Sequence, residues 1–359
     1  VLWAEETGSS QEKVKPGSWV FVPNVRLFGA DLDIGYRGIS FVRGVDTIFW
    51  VGTGGGYEQM MFYRYPDGTL YSGGDPAIDP KKDPFFWRIE GQWSLGISQG
   101  ILWNDKLKAN LLEGFLFYQG RYDAHLKKND NQLLFRSNSV VDKEGIFQNS
   151  LLTGLSLNNL LLDKRSMTKN GYYAEISMEW APLFLGNSIF GRADFLKLNV
   201  AGRFFLRVFN LKPETRKNFL SFYLGDFFSI DYITGSSIPL NASQTFGGRS
   251  PRIGLAIRGV DAGAFNSPFK IVNNIDARLN LPAIIWPGLI PGVLLYLDTG
   301  YYNELTGGMG KLFFTTGAGV YLSLFGIFSP TVYLQYFLNG KNAVGTALTP
   351  LSIAFDLRF

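Results

Sequence analysis

Residues 196–208 read LKLNVAGRFFLRV, and apolar and polar side chains alternate along this stretch. The apolar set on one face is Leu196, Leu198, Val200, Phe204, Leu206 and Val208. The opposing polar set is Lys197, Asn199, Arg203 and Arg207. Because successive side chains of a β-strand point to opposite faces, this pattern predicts a strand with one apolar face and one charged face.

The same period-two pattern recurs in residues 87–97, 174–180 and 351–359. A face of charged residues opposite an aliphatic and aromatic face suits a barrel with lipid outside and a hydrated lumen. Aromatic residues crowd the predicted strand ends, as they do at bilayer interfaces. The alternative is a large soluble β-sandwich, whose strands alternate as well.

The composition excludes several other classes. The chain has no Cys, which rules out a disulfide scaffold, a thiolate zinc site and a Cys nucleophile, and its single His leaves little for imidazole chemistry. The net charge of +4 is mild and not clustered, so nucleic acid is not an expected partner. The longest uncharged apolar run, 281–297, contains three prolines and cannot form a spanning helix. We expect no metal and no cofactor.

The sequence therefore predicts an all-β fold, a single transmembrane antiparallel β-barrel of about 14–16 strands. Residues 18–359 form this barrel, and residues 1–17 form a short periplasmic arm. Residues 1–4 resemble the end of an export signal, with an ordinary terminus as the alternative. The predicted strands are 19–28, 31–42, 46–64, 86–99, 108–122, 147–160, 171–180, 195–208, 218–228, 270–281, 293–301, 311–324, 331–338 and 350–359.

The connections set the orientation of the barrel. With both termini in the periplasm, the long loops 65–84, 123–145 and 230–268 face outside, and the opposite turns are short. Segment 46–64 is too long for one ordinary strand, so a bend or a second strand is expected around 54–56. Its glycine cluster, 52–56, allows either such a bend or close packing in the lumen.

Three segments of the C-terminal third carry a resemblance to a known family. They are, in order, Gly247-Gly248-Arg249-Ser250 with Ile257-Arg258-Gly259-Val260, then Asn274-Ile275-Asp276-Ala277-Arg278-Leu279, then Tyr296-Leu297-Asp298-Thr299-Gly300. This order resembles the outer-membrane assembly and translocation barrel superfamily, the BamA/TamA-like bacterial surface antigen family. Its signatures are a Val-Arg-Gly-Phe/Tyr loop and a Phe-x-Asp-x-Gly strand, with five strands from the loop to the C-terminus.

The resemblance implies a loop that enters the lumen and partly plugs it, with Arg258 paired to Asp298. Gly259 would allow a turn behind the arginine, and Gly300 would leave room for it. Asp276 and Arg278 belong to the same group of loop partners. The alternative is a surface arginine without a partner. The C-terminal residues also resemble the assembly signal of that family: Phe355, Leu357 and Phe359.

The functions implied fall in different classes. As a relative of assembly barrels, the chain would be the membrane part of a protein-assembly or translocation complex in the outer membrane of a Gram-negative-type bacterium. We expect no POTRA (polypeptide-transport-associated) domain in this chain, so it would need a separate periplasmic POTRA-like or chaperone subunit. Its other partners would be outer-membrane lipids and nascent barrel or secreted client proteins. The alternative is a passive pore or structural barrel that keeps the plug loop.

Three other features have weaker interpretations. Residues 96–100, GISQG, fit a nucleophile-elbow pattern, so a lipid-modifying enzyme with Ser98 and His125 is a third reading. We expect instead that 96–100 ends a strand, that His125 lies exposed in a loop, and that the chain is not an enzyme. A near-copy of the loop motif at 42–46 is expected to be coincidence. The basic positions of residues 196–208 either line an anion path or hydrate the lumen.

Overall fold

The structure is a computed structural model. It describes residues 17–26, 29–62, 85–138, 140–163, 168–211, 220–249, 257–258, 266–286, 288–303, 311–324, 329–338 and 348–356 of the 359-residue chain. Most of these residues belong to β-strands. The predicted N-terminal arm lies outside the described residues, apart from Gly17 at the start of the first strand.

The described residues form fourteen strands that follow one another in a single sheet. Their bounds are β1 Ser18–Arg26, β2 Gly29–Ile39, β3 Thr47–Met61, β4 Phe85–Asn104, β5 Ala109–Leu126, β6 Gly145–Asp163, β7 Thr168–Ala181, β8 Asp194–Leu211, β9 Leu220–Ser237, β10 Phe269–Asn280, β11 Leu289–Tyr302, β12 Lys311–Leu324, β13 Ser329–Phe337 and β14 Leu348–Asp356. Each strand pairs antiparallel with the next. This is the meander expected of an up-and-down barrel.

The two faces of the sheet differ in the way that the alternation predicts. On β11, Leu295 is 57% exposed, whereas the neighbouring Asp298 is fully buried. On β8, Leu198 is exposed and Lys197 is buried. A soluble core would bury the leucines and expose the charges. The interior of this sheet therefore carries the charged side chains, and its outer surface is apolar.

The sheet curves around the long connection between β9 and β10. Arg249 of this connection contacts Glu113 of β5, and Arg258 contacts Asp298 of β11. Strands β5 and β11 are separated by β6 to β10 in the sheet. The polar face is buried across this part of the sheet, from Ser98 on β4 to Asp298 on β11, so the strands enclose the loop. The fold is the predicted barrel.

The connections divide the barrel into two ends. At the long-loop end, residues 62–84, 127–144 and 238–268 join strands; at the short-turn end, residues 40–46, 105–108 and 164–167 do so. Two short helices, α1 Leu133–Arg136 and α2 Leu240–Gln244, lie in the long loops. Within the part of the chain that the structure describes, no helix has the length and apolar character needed to cross a membrane.

Several strand bounds differ from those predicted. Strand β9 runs to Ser237 rather than ending at 228, and β5 runs to Leu126 rather than 122. Both extensions contain charged residues, Asp231 and Asp123, which are buried on the lumen side. The polar residues that led to the prediction of loops therefore lie on the interior face of longer strands.

Within segment 46–64, residues 47–61 form one strand, so neither the bend nor the second strand expected at 54–56 is present. Strand β3 pairs with β4 without interruption from Thr47 to Met61. Its glycines leave space for carboxylates of β2: a Cβ on Gly52 would overlap Oδ1 of Asp33, and one on Gly54 would overlap Oδ1 of Asp31. Close packing in the lumen explains this cluster.

Candidate functional site

The candidate site is the connection between β9 and β10, residues 238–268, which we call the lumen loop. Its described parts are 238–249, 257–258 and 266–268. Helix α2 lies at its start, and Nε2 of Gln244 donates to Oδ1 of Asn266 at 3.0 Å, joining its two ends. The side chains that hold the loop come from several strands between β3 and β11.

Arg258 is buried against Asp298 of β11. The backbone N–H and the Nε–H of Arg258 each donate to Oδ2 of Asp298 at 2.8 Å, and Nη2 donates to Oδ1 at 2.5 Å. Two parallel bonds between guanidinium and carboxylate make the strong, bidentate form of this pair. The contact that the resemblance implied is present, and the alternative of a surface arginine without a partner is wrong.

A second carboxylate completes the charge balance around Arg258. Its Nη2 also donates to Oδ1 of Asp276 at 2.6 Å, and its guanidinium lies 3.8 Å from the ring centroid of Tyr296. Arg278 donates to the other oxygen of Asp276, from Nη2 at 2.7 Å. Two arginines thus face two aspartates. Such balance is required because a buried charge without a partner is costly.

Gly300 receives the residue before the arginine. Ile257 is fully buried, and its side chain fills the space beside the Cα of Gly300. The sequence-based expectation was that Gly300 makes room for Arg258. The structure shows that the room is taken by Ile257, and that Arg258 lies next to it on Asp298.

Two buried lysines hold the C-terminal end of α2. Nζ of Lys197, on β8, donates to the carbonyl of Thr245 at 2.6 Å, and Nζ of Lys270, on β10, donates to it at 2.7 Å. Oδ2 of Asp231, on β9, lies 3.1 Å and 3.7 Å from these two nitrogens. Cations stabilise a helix C-terminus, where carbonyls lack helical partners.

The basic positions of residues 196–208 do not act as one stripe. Lys197 holds α2, the guanidinium of Arg203 lies 5.0 Å from the ring centroid of Tyr173, and Arg207 is exposed. Lys197 therefore has neither of the roles expected for a basic stripe, which were to line an anion path or to hydrate the lumen.

The two glycines of the loop motif lie where the chain turns toward β7 and β8. The N–H of Gly247 donates to both carboxylate oxygens of Asp231 at 3.1 Å. Gly248 has φ +97°, a conformation that L side chains rarely adopt. A Cβ there would also lie 2.7 Å from Oε1 of Glu175.

Asp142, in the loop between β5 and β6, was not found from the sequence. Both of its carboxylate oxygens accept the backbone N–H of Leu240, the first residue of α2, at 3.0 Å. Burial raises the pKa of Asp142 to about 7. No local motif could reveal this contact, because Asp142 and Leu240 are far apart in the sequence.

Other predicted site residues are only partly described. Gly259 and Val260 lie outside the described residues, as do Leu357 and Phe359. The backbone of Phe355 lies in β14, opposite Pro330 of β13. The role of these residues as an assembly signal stays a prediction.

The nucleophile-elbow pattern has no catalytic geometry. Residues 96–100 lie inside β4 rather than at its end, and Oγ of Ser98 accepts a hydrogen bond from Nε1 of Trp50 at 3.0 Å. His125 is buried in β5, not exposed in a loop, and pairs in register with Arg88. Ser98 lies ten positions beyond Arg88 on β4, about 33 Å along the strand. Ser98 and His125 therefore cannot act together.

The near-copy of the loop motif lies in the short turn between β2 and β3. Arg43 is exposed there, and Asp46 lies 3.9 Å from Arg37. Nothing about this turn resembles the buried Arg258. Within the described ranges, no group of three or more His, Cys, Asp or Glu residues is placed to hold a metal ion.

Comparison with solved structures finds a similarity to BamA from Haemophilus ducreyi, in a crystal structure lacking POTRA domains 1–3. The two chains share 12% sequence identity and align with a TM-score of 0.47. The alignment covers 94% of this chain and 63% of the other, so this chain spans less than two thirds of the length of that protein. No family model matches the sequence, and no curated protein matches it. These comparisons assign the chain to no family.

Proposed function

We propose that this chain is a transmembrane barrel of the outer membrane of a Gram-negative-type bacterium. The support is the reversal of the usual burial pattern: exposed aliphatic and aromatic side chains cover the outside, and charged pairs fill the inside. A lipid bilayer is the solvent in which such an outer surface is stable. Outer-membrane lipids would then be its first partners.

We further propose that the barrel is the membrane part of a protein-assembly or translocation complex. The observation that carries this proposal is the lumen loop, held inside the barrel by the buried ion pairs of Arg258 with Asp298 and Asp276. A plugged lumen prevents free diffusion, so the useful surface is the edge of the sheet. Strands β1 and β14 are the first and last of the sheet, and a strand edge can pair with the strand of another chain.

In this proposal, the clients are nascent barrel proteins or secreted chains. A separate periplasmic subunit, POTRA-bearing or chaperone-like, would deliver them. The barrel performs no catalysis, and it uses neither a metal nor a cofactor. Backbone hydrogen bonds at the edge between β1 and β14 would guide each client strand.

The test is to purify a tagged chain from native outer membranes in mild detergent and to identify what accompanies it by mass spectrometry. A periplasmic POTRA-bearing or chaperone-like protein, or nascent barrels, in stoichiometric amounts would support the proposal. An unrelated tagged barrel treated in the same way is the control. Recovery of a lone barrel with lipid only would contradict the assembly role.

The second candidate is a stand-alone pore or structural barrel that retains the loop. This candidate is favoured because Arg258 finds its carboxylate partners within the chain, so the loop needs no other protein to hold it. Planar-bilayer recording separates the two candidates, since a passive pore gives a steady conductance and a plugged barrel gives small, erratic currents. A lipid-modifying enzyme is the least supported function, because Ser98 and His125 are too far apart.

A further inference from the structure

Arg249 is a second charged anchor of the lumen loop. Its Nη1 donates to Oε1 of Glu113 on β5, and its backbone N–H donates to Oε1 of Glu175 on β7 at 2.6 Å. Glu113 and Glu175 are both buried, at 6% and 3% exposure. A buried carboxylate needs a cation or several donors nearby, and Arg249 provides both for this pair.

Three aromatic rings surround the guanidinium of Arg249. Their centroids lie 5.2 Å away for Trp50, 5.6 Å for Phe115 and 5.3 Å for Phe117. Aromatic faces attract a cation most strongly where water is excluded, and a guanidinium also stacks on rings in a way that an ammonium does not. We call Arg249, its two carboxylate partners and these rings the Arg249 site.

The backbone is shaped to deliver Arg249 to this place. Gly248 precedes it with φ +97°, and the amide of Gly247 is held by Asp231. This turn directs the N–H of Arg249 to Glu175 and its side chain to Glu113. The arrangement therefore depends on the loop conformation as well as on charge.

The Arg249 site is deeper in the barrel than Arg258, and it lies on a different part of the wall. Glu113 is the fifth residue of β5 and Trp50 is the fourth of β3, both counted from the short-turn end. Asp298, the partner of Arg258, is the fifth residue of β11 counted from the long-loop end. The loop thus enters from the long-loop end and reaches across to the opposite half of the lumen.

We propose that the Arg249 site closes the short-turn half of the lumen, and that release of Arg249, rather than of Arg258, controls whether the barrel conducts. This inference rests on the proposed function, in which the loop is a plug. Loss of Arg258 frees the shallower part of the loop but leaves Arg249 between β3, β5 and β7. Loss of Arg249 frees the described part of the loop that lies nearer the short-turn end, between β3, β5 and β7.

The test compares single-channel currents of the full chain in planar bilayers. Arg249→Ala is expected to raise the mean current severalfold over the unchanged protein, and Arg258→Ala much less. Arg249→Lys is expected to behave like Arg249→Ala, because a lysine keeps the charge but not the planar contact with the rings. Arg121→Ala is the matched control: Arg121 is a lumen arginine whose ion pairs are with the strand residues Glu90 and Asp123.

A disulfide distinguishes loop movement from damage to the barrel. A Cβ built on Gly247 would lie 3.4 Å from Cβ of Asn199 on β8, close to the roughly 3.5–4.5 Å of natural disulfides. The chain has no other cysteine to interfere. In the Gly247→Cys/Asn199→Cys background, oxidation should return the current of Arg249→Ala to the closed level, and reduction should restore the high current.

The outcomes separate the two proposals. If the disulfide does not form in a folded, heat-modifiable barrel, the loop does not lie in the lumen and the plug itself is refuted. If it forms but Arg249→Ala conducts no more than Arg121→Ala, the plug stands and the role of Arg249 is overturned. That role is also overturned if Arg258→Ala conducts as strongly as Arg249→Ala, or if oxidation leaves the high current unchanged.

Discussion

Ile257 occupies the space that a side chain at Gly300 would need. A Cβ built on Gly300 would overlap Cδ1 of Ile257, and it would lie 2.9 Å from Cγ1 of Ile257 and 3.0 Å from the carbonyl oxygen of Ile271. Ile257 directly precedes Arg258, whose backbone N–H is bound to Asp298. The fit of Ile257 on Gly300 therefore sets the position from which Arg258 reaches its carboxylates.

The substitution Gly300→Ala should displace Ile257 and weaken the packing of the lumen loop against β11. Overpacking of this kind costs about 1–3 kcal/mol. We expect faster cleavage of the loop by protease added to folded barrels in detergent. The second change Ile257→Ala removes the clashing atoms, so the double variant should regain part of the resistance.

The control for this prediction is Gly91→Ala on β4, where a Cβ meets no atom within 4 Å. It makes the same chemical change in a strand without crowding. Equal protease resistance of Gly300→Ala and Gly91→Ala would show that Ile257 does not hold the loop in place.

Arg258→Ala should lower the thermal stability of the barrel more than Asp298→Asn does. Without the side chain of Arg258, Asp298 loses two hydrogen bonds and keeps the one from the backbone N–H, and Asp276 keeps its contact with Arg278. Breaking a buried pair from one side typically costs about 3–5 kcal/mol, because a charge stays without its partner. Asp298→Asn keeps an oxygen that can accept from Arg258, and Asp276 still provides a carboxylate for that guanidinium. The measurement is the temperature at which the compact, fast-migrating form is lost in electrophoresis.

Loss of the compact form at the same temperature in both variants would contradict this prediction. Arg258→Lys is the informative companion, since it retains the charge. A lysine cannot make the bidentate contact with Asp298 while stacking on Tyr296, so its stability should fall between the wild type and Arg258→Ala.

The burial of Asp142 should make the barrel less stable as the pH rises toward neutrality. Burial raises the pKa of Asp142 from 3.8 to about 7, so the folded chain binds this proton more tightly than the unfolded chain does. The contribution of this proton to the free energy of unfolding is complete below about pH 4 and is lost as the pH rises through about 7. It amounts to at most about 4 kcal/mol. We expect a lower midpoint of thermal unfolding at about pH 8 than at about pH 5.

Asp142→Asn tests the assignment of this pH dependence. The amide keeps an oxygen that can accept the N–H of Leu240 and carries no titrating proton. The difference between the two pH values should therefore shrink in this variant. An unchanged difference would place the pH dependence in other groups.

The sequence predicts the strands and their faces well, because an alternating pattern acts within a few residues. Residues 196–208 display Leu198 outward and Lys197 inward, as the structure does. The Arg258–Asp298 pair was also predictable, but only through resemblance to a family whose motifs occur in the same order. Strand ends were missed where lumen-facing polar residues, such as Asp231, looked like loop residues.

The other anchors of the loop could not be predicted from the sequence. Glu113 and Arg249 are 136 positions apart, and Asp142 and Leu240 are 98 apart. Which lumen residue meets which loop residue depends on the curvature of the barrel and the depth of the loop. No short sequence pattern determines the curvature or the depth, so the Arg249 site could be identified only from the structure.

The lysines at the end of α2 should show strong non-additivity. Lys197→Met leaves Lys270 on the carbonyl of Thr245 and near Asp231, and Lys270→Met leaves Lys197 in the same role. Each single change should therefore cost little, about 1–2 kcal/mol. The double change leaves Asp231 buried without a cation and should cost about 3–5 kcal/mol. Adding Asp231→Asn to the double variant should restore part of that loss in the midpoint of thermal unfolding. If the triple variant is no more stable than the double, the destabilisation comes from α2 and not from the carboxylate.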